Sequence, residues 1–232
     1  TVVYSDNTPP DTAVLNDMTE WQMHSAGFIV SGSVTGSDLH SGISKVLIVA
    51  EYDDGDMVTT ELNEATGLFH SFTIYEQCEV TAVVYDNAGN YSSVKKSYDK
   101  FDSTPPTAPT INAVPNVDFE TGSGYAREYT VTLSYGTDGQ SGVMEASMAY
   151  ILNGEVKSYN GGFLLDKGMA YEIKAYYSDK AGNLSPAATL RITNIDRIDP
   201  YIEQAVLTID IRNEKPFTIR LKSGDGLSGL KS

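Results

Sequence analysis

The chain has a single cysteine, Cys78, among 232 residues, so no disulfide can form within it. That absence does not fix the compartment. Cytosolic proteins keep their thiols reduced, and many exported bacterial domains do without disulfides. Tryptophan is equally scarce, with Trp21 alone. The three histidines, His24, His40 and His70, fall in one stretch of the chain and lack the spacing of a zinc site. There is no Cys-x-x-Cys pair, no phosphate-binding glycine loop and no nucleophile elbow. No catalytic residue is therefore assigned, and the chain reads as non-enzymatic. Positive charge is short as well: 16 Lys and Arg stand against 31 Asp and Glu, a net charge of −15. Such a surface repels phosphate backbones and anionic membrane surfaces, which argues against nucleic-acid partners. The longest purely apolar run is Val46 to Ala50, far below the ~20 residues of a spanning helix, so no membrane insertion is expected in this segment. No signal peptide is visible. Thr1 opens inside a strand-like stretch, so the natural start is expected upstream.

What the chain does have is turn and strand chemistry, repeated. Thr, Ser, Gly, Val and Tyr are abundant, the usage of exposed antiparallel sheets with many turns. Three signals recur in fixed order at a spacing of about 95 residues, within the length of a β-sandwich domain. The first is a linker, Asp6-Asn7-Thr8-Pro9-Pro10, matched by Asp102-Ser103-Thr104-Pro105-Pro106 and more loosely by Asp196-Arg197-Ile198-Asp199-Pro200. The second is Asp-x-x-Ser-Gly, at Asp38–Gly42, Asp138–Gly142 and Asp225–Gly229. The third is Asp-x-Ala-Gly-Asn, at Asp86–Asn90 and Asp179–Asn183. A Pro-Pro pair cannot continue a central strand and acts as a semi-rigid spacer. Boundaries follow. Residues 1–10 end a preceding unit, 11–102 and 103–196 are two repeats, and 197–232 begin a third, incomplete one.

Within each repeat the pattern runs strand after strand. Strands are expected at Gly27–Val34, Lys45–Tyr52, Met57–Leu62, Leu68–Ile74, Glu79–Tyr85 and Tyr91–Tyr98. The second repeat offers Tyr129–Tyr135, Glu145–Leu152, Glu155–Tyr159, Tyr171–Tyr177 and Ala187–Ile192. Asp53-Asp54-Gly55-Asp56 and Asn153-Gly154 break the two repeats at the same place, and Asn-Gly is a strong hairpin signal. No segment shows a helical period. About seven short strands per repeat argue for an all-β chain of tandem β-sandwiches. In the last segment, Phe217, Ile219 and Leu221 alternate, so one face of Lys215–Lys222 is apolar and needs a cover. It is expected to lean on the second repeat, pair with another chain or be poorly ordered.

The turn motifs have a structural role first. Asp86 and Asp179 can cap their own turns, while Gly89, Asn90, Gly182 and Asn183 tolerate positive φ. Asp38-x-x-Ser41-Gly42 and Asp138-x-x-Ser141-Gly142 read likewise as capped turns. Asn90-Tyr91-Ser92 and Asn183-Leu184-Ser185 match the N-glycosylation acceptor pattern, but turn chemistry already accounts for the Asn. Tyr171, at a strand start, fits a tyrosine corner; the aligned residue of the first repeat is Cys78, a small core residue. Trp21 is expected to pack on one end of the core, with a sugar-stacking role as the alternative.

The Pro-Pro linker, the Trp before the second strand, Asp-x-x-Ser-Gly-Ile and Asp-Asn-Ala-Gly-Asn-x-Ser together resemble bacterial Ig-like (Big-type) tandem repeats. The pattern is also similar to fibronectin type III sandwiches. The second repeat has no Trp at the aligned place, where Tyr125 or Tyr129 is the substitute, and the third linker has lost one proline. The resemblance implies Ig-like domains of an extracellular or cell-surface bacterial protein, such as an adhesin, used as stalk or spacer. Its partners are then the neighbouring repeats. The alternatives are an adhesion or carbohydrate-binding module, with a host or carbohydrate ligand, and accessory domains of an extracellular enzyme.

One site is expected, and it takes a cation. In an Ig-like sandwich the loop after the second strand and the loop between the last two strands share an end with the incoming chain. This would gather Asp102, Asp138 and Asp179 in the second repeat and Asp6, Asp38 and Asp86 in the first. Carboxylates held close need a neutralising cation or separate capping roles. Calcium, with its flexible shell of six to eight oxygens, suits such a group and would stiffen the linker.

Overall fold

The computed structural model describes residues 5–34, 38–63, 67–116, 124–208 and 218–226. Backbone contacts divide the chain into two compact units. The first comprises residues 1–106 with 137–144 and 178–184; the second comprises the rest.

The first unit holds seven strands: β1 (Val14–Leu15), β2 (Phe28–Val34), β3 (Ile43–Tyr52), β4 (Met57–Asn63), β5 (Gly67–Ile74), β6 (Cys78–Asp86) and β7 (Tyr91–Tyr98). They form a three-stranded sheet β1-β2-β5 and a four-stranded sheet β4-β3-β6-β7, every pairing antiparallel. The strand period of two explains which residues meet. Along β6, Cys78, Val80, Ala82 and Val84 point inward in strict alternation. On β3, Val46, Ile48 and Ala50 do the same, and Val30 and Val34 of β2 join them in one core cluster. Each fully buried Val or Ile here contributes about 1.5–3 kcal/mol. Tyr98 is buried to its hydroxyl, which donates to the Asn16 carbonyl at 3.0 Å. Burial pushes that phenol up to about 12. Burial likewise pushes the Cys78 thiol up to about 11, so it is an inert core residue.

The second unit holds β8 (Thr110–Asn116), β9 (Glu128–Ser134), β10 (Ala149–Leu152), β11 (Glu155–Ser158), β12 (Phe163–Leu165), β13 (Tyr171–Tyr176), β14 (Ala188–Ile192), β15 (Tyr201–Thr208) and β16 (Thr218–Gly224). Seven of these repeat the arrangement of the first unit, as sheets β12-β9-β8 and β11-β10-β13-β14. Val131 and Leu133 of β9, Leu165 of β12 and Ile173 and Ala175 of β13 are buried. Tyr150 of β10 stacks on Phe163 of β12 at 4.4 Å, joining the two sheets. The Tyr171 hydroxyl accepts a hydrogen bond from the Lys167 amide at 3.2 Å, closing the corner before β13.

Five elements differ from the sequence pattern, β1 and β15 among them as strands outside every expected segment. Glu145–Ser147, expected as strand, is a turn of 3₁₀ helix, and its Glu-Ala-Ser carries no β-branched or aromatic residue to favour a sheet. β8 is missing from the expected strands because Pro115 cannot donate to a ladder; it sits at the sheet edge, where proline is tolerated. β12 is only three residues long and follows Gly161-Gly162. At the β10–β11 hairpin, Asn153 and Gly154 both have positive φ, 49° and 92°, as a type I′ turn demands.

β15 and β16 pair with one another, Leu207 opposite Ile219 and Ala205 opposite Leu221. Directly opposite residues share a face. Ile219 and Leu221 are 57% and 61% exposed. Lys215, Phe217 and the part of the third Asp-x-x-Ser-Gly turn beyond Gly226 lie outside the described residues.

Candidate functional site

The three linkers bend in the same way. Asp6 Oδ1 accepts the Thr8 amide at 2.9 Å, Asp102 Oδ1 the Thr104 amide at 2.8 Å and Asp196 Oδ1 the Ile198 amide at 2.9 Å. Just before the second and third linkers the chain is fixed by an isolated parallel bridge, Gln22 to Phe101 and Ala126 to Ile195. Trp21 and Tyr125 precede the two bridge residues, so Tyr125 holds the place of Trp21, and both are half-buried.

The Asp-x-Ala-Gly-Asn turns are tied by their first residue. Asp179 Oδ1 accepts the amides of Gly182 and Asn183 at 2.7 and 2.8 Å, and Oδ2 accepts Asn183 Nδ2 at 2.8 Å. Gly182 has φ +98°, a conformation that L side chains rarely adopt. Asp86 does the same for Ala88 and Asn90, at 2.9 and 2.7 Å, with Asn90 Nδ2 at 2.7 Å from Oδ2. Burial raises the Asp86 carboxyl, but the Asn90 side chain and the amides of Asn90, Ala88 and Gly89 outweigh it and hold it below the usual range. Each turn also docks on its Asp-x-x-Ser-Gly partner: Asn87 N donates to the Gly42 carbonyl at 3.0 Å, and Lys180 N to Gly142 at 2.9 Å.

The two Asp-x-x-Ser-Gly turns part company at this point. In the first, Asp38 caps its own turn: Oδ1 takes the His40 amide at 3.0 Å, and Oδ2 takes the Ser41 hydroxyl at 2.6 Å and its amide at 3.3 Å. The Ser41 hydroxyl and the His40 amide lower the Asp38 carboxyl to about 2. In the second, the Ser141 amide donates instead to Asp102 Oδ2 of the linker, at 3.0 Å. Asp138 is left with one long bond, 3.4 Å from the Gln140 amide to Oδ2, while its Oδ1 is buried with no partner. Ser141 is 4% exposed, and its Oγ also lacks a partner. Burial pushes the Asp102 carboxyl up, yet the groups of Thr104 and Ser141 around it prevail and keep it lowered.

Two groups of metal-capable side chains occur among the described residues. In the second repeat, one oxygen each of Asp102, Asp138 and Asp179 lie within 4.8 Å of one another, and Asp102 and Asp179 are fully buried. In the first, Asp6 and Asp38 are joined by His40, not by Asp86, whose oxygens serve its own turn. His40 occupies the place of Gln140. Ser41, Gly42, Gly89, Asn90, Gly142, Gly182 and Asn183 are turn residues in the structure, with Gly42 and Gly142 at φ +77° and +80°. Asn90 and Asn183 have a further bond that turn chemistry does not announce. Asn183 Nδ2 donates to the Asp102 carbonyl at 3.0 Å, and Asn90 Nδ2 reaches the carbonyls of Asp6 and Thr8 at 3.2 and 3.4 Å. Asn183 is 9% exposed. With both amide hydrogens engaged, neither asparagine presents a free glycosylation acceptor in the folded chain.

Lowered carboxyl groups set the acid response. Asp38, Asp86 and Asp102 titrate below their unfolded values, so their stabilisation is complete above about pH 4 and drains away as pH falls through the folded values, that of Asp38 lying at about 2. Thermal melts across that range should show a falling midpoint. A melting temperature flat from pH 5 to pH 2 would contradict these bonds.

No family model matches the chain, and no curated protein does. Solved structures do. A 1.5-MDa bacterial ice-binding adhesin, studied for host cell surface retention, aligns at TM-score 0.53 and 14% identity, over 82% of this chain and 66% of the other. A Ca2+-stabilized adhesin with which an Antarctic bacterium binds ice aligns at TM-score 0.49 and 19% identity, over 90% and 54%. Fibronectin(III)-like modules of Clostridium thermocellum CbhA align at TM-score 0.36 and 14% identity, over 78% and 92%. The chain thus spans 66% and 54% of the two adhesin structures. At TM-score 0.53 and 14% identity, the likeness to the first of these is one of fold alone, the all-β sandwich that the strand order already gives.

Proposed function

We propose that this chain is a non-catalytic spacer of a secreted or cell-surface bacterial protein, built of tandem Ig-like repeats. The observation that carries the reading is where the recurrent residues are spent. In both copies, the aspartates and asparagines that repeat along the sequence bond to turns and linkers at 2.6–3.4 Å, and so fix the path of the chain. Purified chain should show no saturable binding to glycan arrays or host-cell surfaces. Saturable binding to either would replace the spacer reading with an adhesion module.

Calcium belongs to this reading in the second repeat only. Two charges about 5 Å apart repel by on the order of 3 kcal/mol at an effective dielectric of ~20. Asp102 and Asp179 offset this by accepting amides, whereas Asp138 keeps a buried oxygen without a donor. An all-oxygen group of this kind suits a hard divalent cation. Asp102, Asp138 and Asp179 would hold the ion, and the ion would tie the linker to both loops. In the first repeat Asp6 also keeps a buried oxygen without a donor, but Asp38 is satisfied by Ser41 and the third member is His40 in place of a carboxylate, so no cation is proposed there. Melting of the whole chain in millimolar calcium should occur about 5–10 °C above melting in chelator, if calcium stands near a hundredfold over its dissociation constant. Equal midpoints in calcium, magnesium and chelator would remove the cation and leave the capping bonds alone.

A further inference from the structure

The primary amide of the Asp-x-Ala-Gly-Asn turn bonds both inside its turn and outside it. Asn183 Nδ2 donates inward to Asp179 Oδ2 and outward to the Asp102 carbonyl. Asn90 Nδ2 donates inward to Asp86 Oδ2 and outward to the carbonyls of Asp6 and Thr8. The outward bond appears in both repeats, whereas the three-aspartate group appears in one. It therefore does not depend on that group. The acceptor is main chain in every case, so the side chains of the linker are free to vary. One position does vary, Asn7 in one linker standing where Ser103 stands in the other, between an aspartate and a threonine common to both. What is common is the bend, set by an aspartate that accepts the amide two residues on.

We propose that this turn is a clasp that recognises the linker by its backbone, with Asn90 and Asn183 as the positioning residues and an Asp-bent segment as the ligand. The clasp deepens the spacer reading and works without a cation. Only asparagine serves well here. Aspartate has no N–H to give and would set a second carboxylate against Asp179 or Asp86, and serine is too short to bridge the turn and the linker. The third linker makes the same bend at Asp196 and Ile198, and so has the form this clasp accepts.

Amide hydrogen exchange on the whole chain, in chelator and again in calcium, tests it. In Asn183→Ala, the amides of Thr104 and Ser141 should exchange about tenfold faster than in the parent, because the outward bond to the linker is lost along with the inward bond to Asp179. The amides of β13 should be unchanged, and the acceleration should be present in chelator. Asn90→Ala should do the same at Thr8 and leave Thr104 alone. Should Asn183→Ala fail to fold, Asn183→Ser adds no charge beside Asp179, is too short to reach the Asp102 carbonyl and should still release Thr104. Unchanged exchange at Thr104 and Ser141 would overturn the clasp, as would acceleration spread evenly over β13, the mark of general destabilisation. A cation effect that vanishes while the chelator result stands would remove the calcium reading and leave the clasp.

Discussion

Asp179→Ala is expected to destabilise the first unit by about 3–5 kcal/mol, the range of a buried network lost outright. The carboxylate is fully buried and accepts three hydrogen bonds, from Gly182 N, Asn183 N and Asn183 Nδ2. Bonds to a charged group are worth about 1.5–3 kcal/mol each, less than additively, and their donors would be left unpaired in the interior. Asp138→Asn is the informative contrast. Asp138 gives up only one 3.4 Å bond, and the change removes a negative charge beside two others. In chelator its stability should equal or exceed that of the parent; in calcium it should fall below the parent, because a ligand is lost. Denaturant unfolding read by exchange at Gly182 and Asn183 would measure both. An Asp138→Asn variant that loses stability equally with and without calcium would show that Asp138 is a cap and nothing more.

That contrast lies beyond what the sequence can show. The two Asp-x-x-Ser-Gly turns share one motif, yet Asp38 takes its own serine's hydroxyl while Ser141 gives its amide to Asp102. The shared Asp, Ser and Gly do not encode which partner wins; Gln140, in the place of His40, accepts the hydroxyl of linker residue Thr104 at 3.2 Å in the second turn. The strands were more legible, because alternation at β6 or β3 has a period that only a half-buried sheet satisfies. β8 and β12 were hidden by Pro115 and by brevity, and Glu145–Ser147 by its place at the head of an apolar run. The juxtaposition of linker and loop aspartates could be anticipated from the repeat order, since equivalent loops of a sandwich share an end. The outward bond of Asn90 and Asn183 could not, because each asparagine is already accounted for by its own turn.

Tyr177→Ala is expected to cost about 3–5 kcal/mol in the second unit, while Tyr177→Phe should cost only about 1 kcal/mol. Tyr177 is fully buried, and its ring meets Tyr135 edge-on at 5.1 Å. Its hydroxyl donates to the Thr107 carbonyl at 2.7 Å, just past Pro105-Pro106. Its backbone is held at both ends, by Ser185 Oγ at 3.1 Å and by the Ser185 amide at 2.8 Å. Truncation to alanine leaves a ring-sized void that the flanking strands, pinned by these bonds, cannot close, so the cavity cost is felt in full. Phenylalanine keeps the ring and loses one bond. The two effects separate the ring's packing from the hydroxyl's hold on residue 107. Exchange at Ile173 and Ala175 of β13 reports the first, because those amides open only with the sheet. Exchange that rises as much in Tyr177→Phe as in Tyr177→Ala would mean that the hydroxyl bond, and not the buried ring, holds this end of the sandwich together.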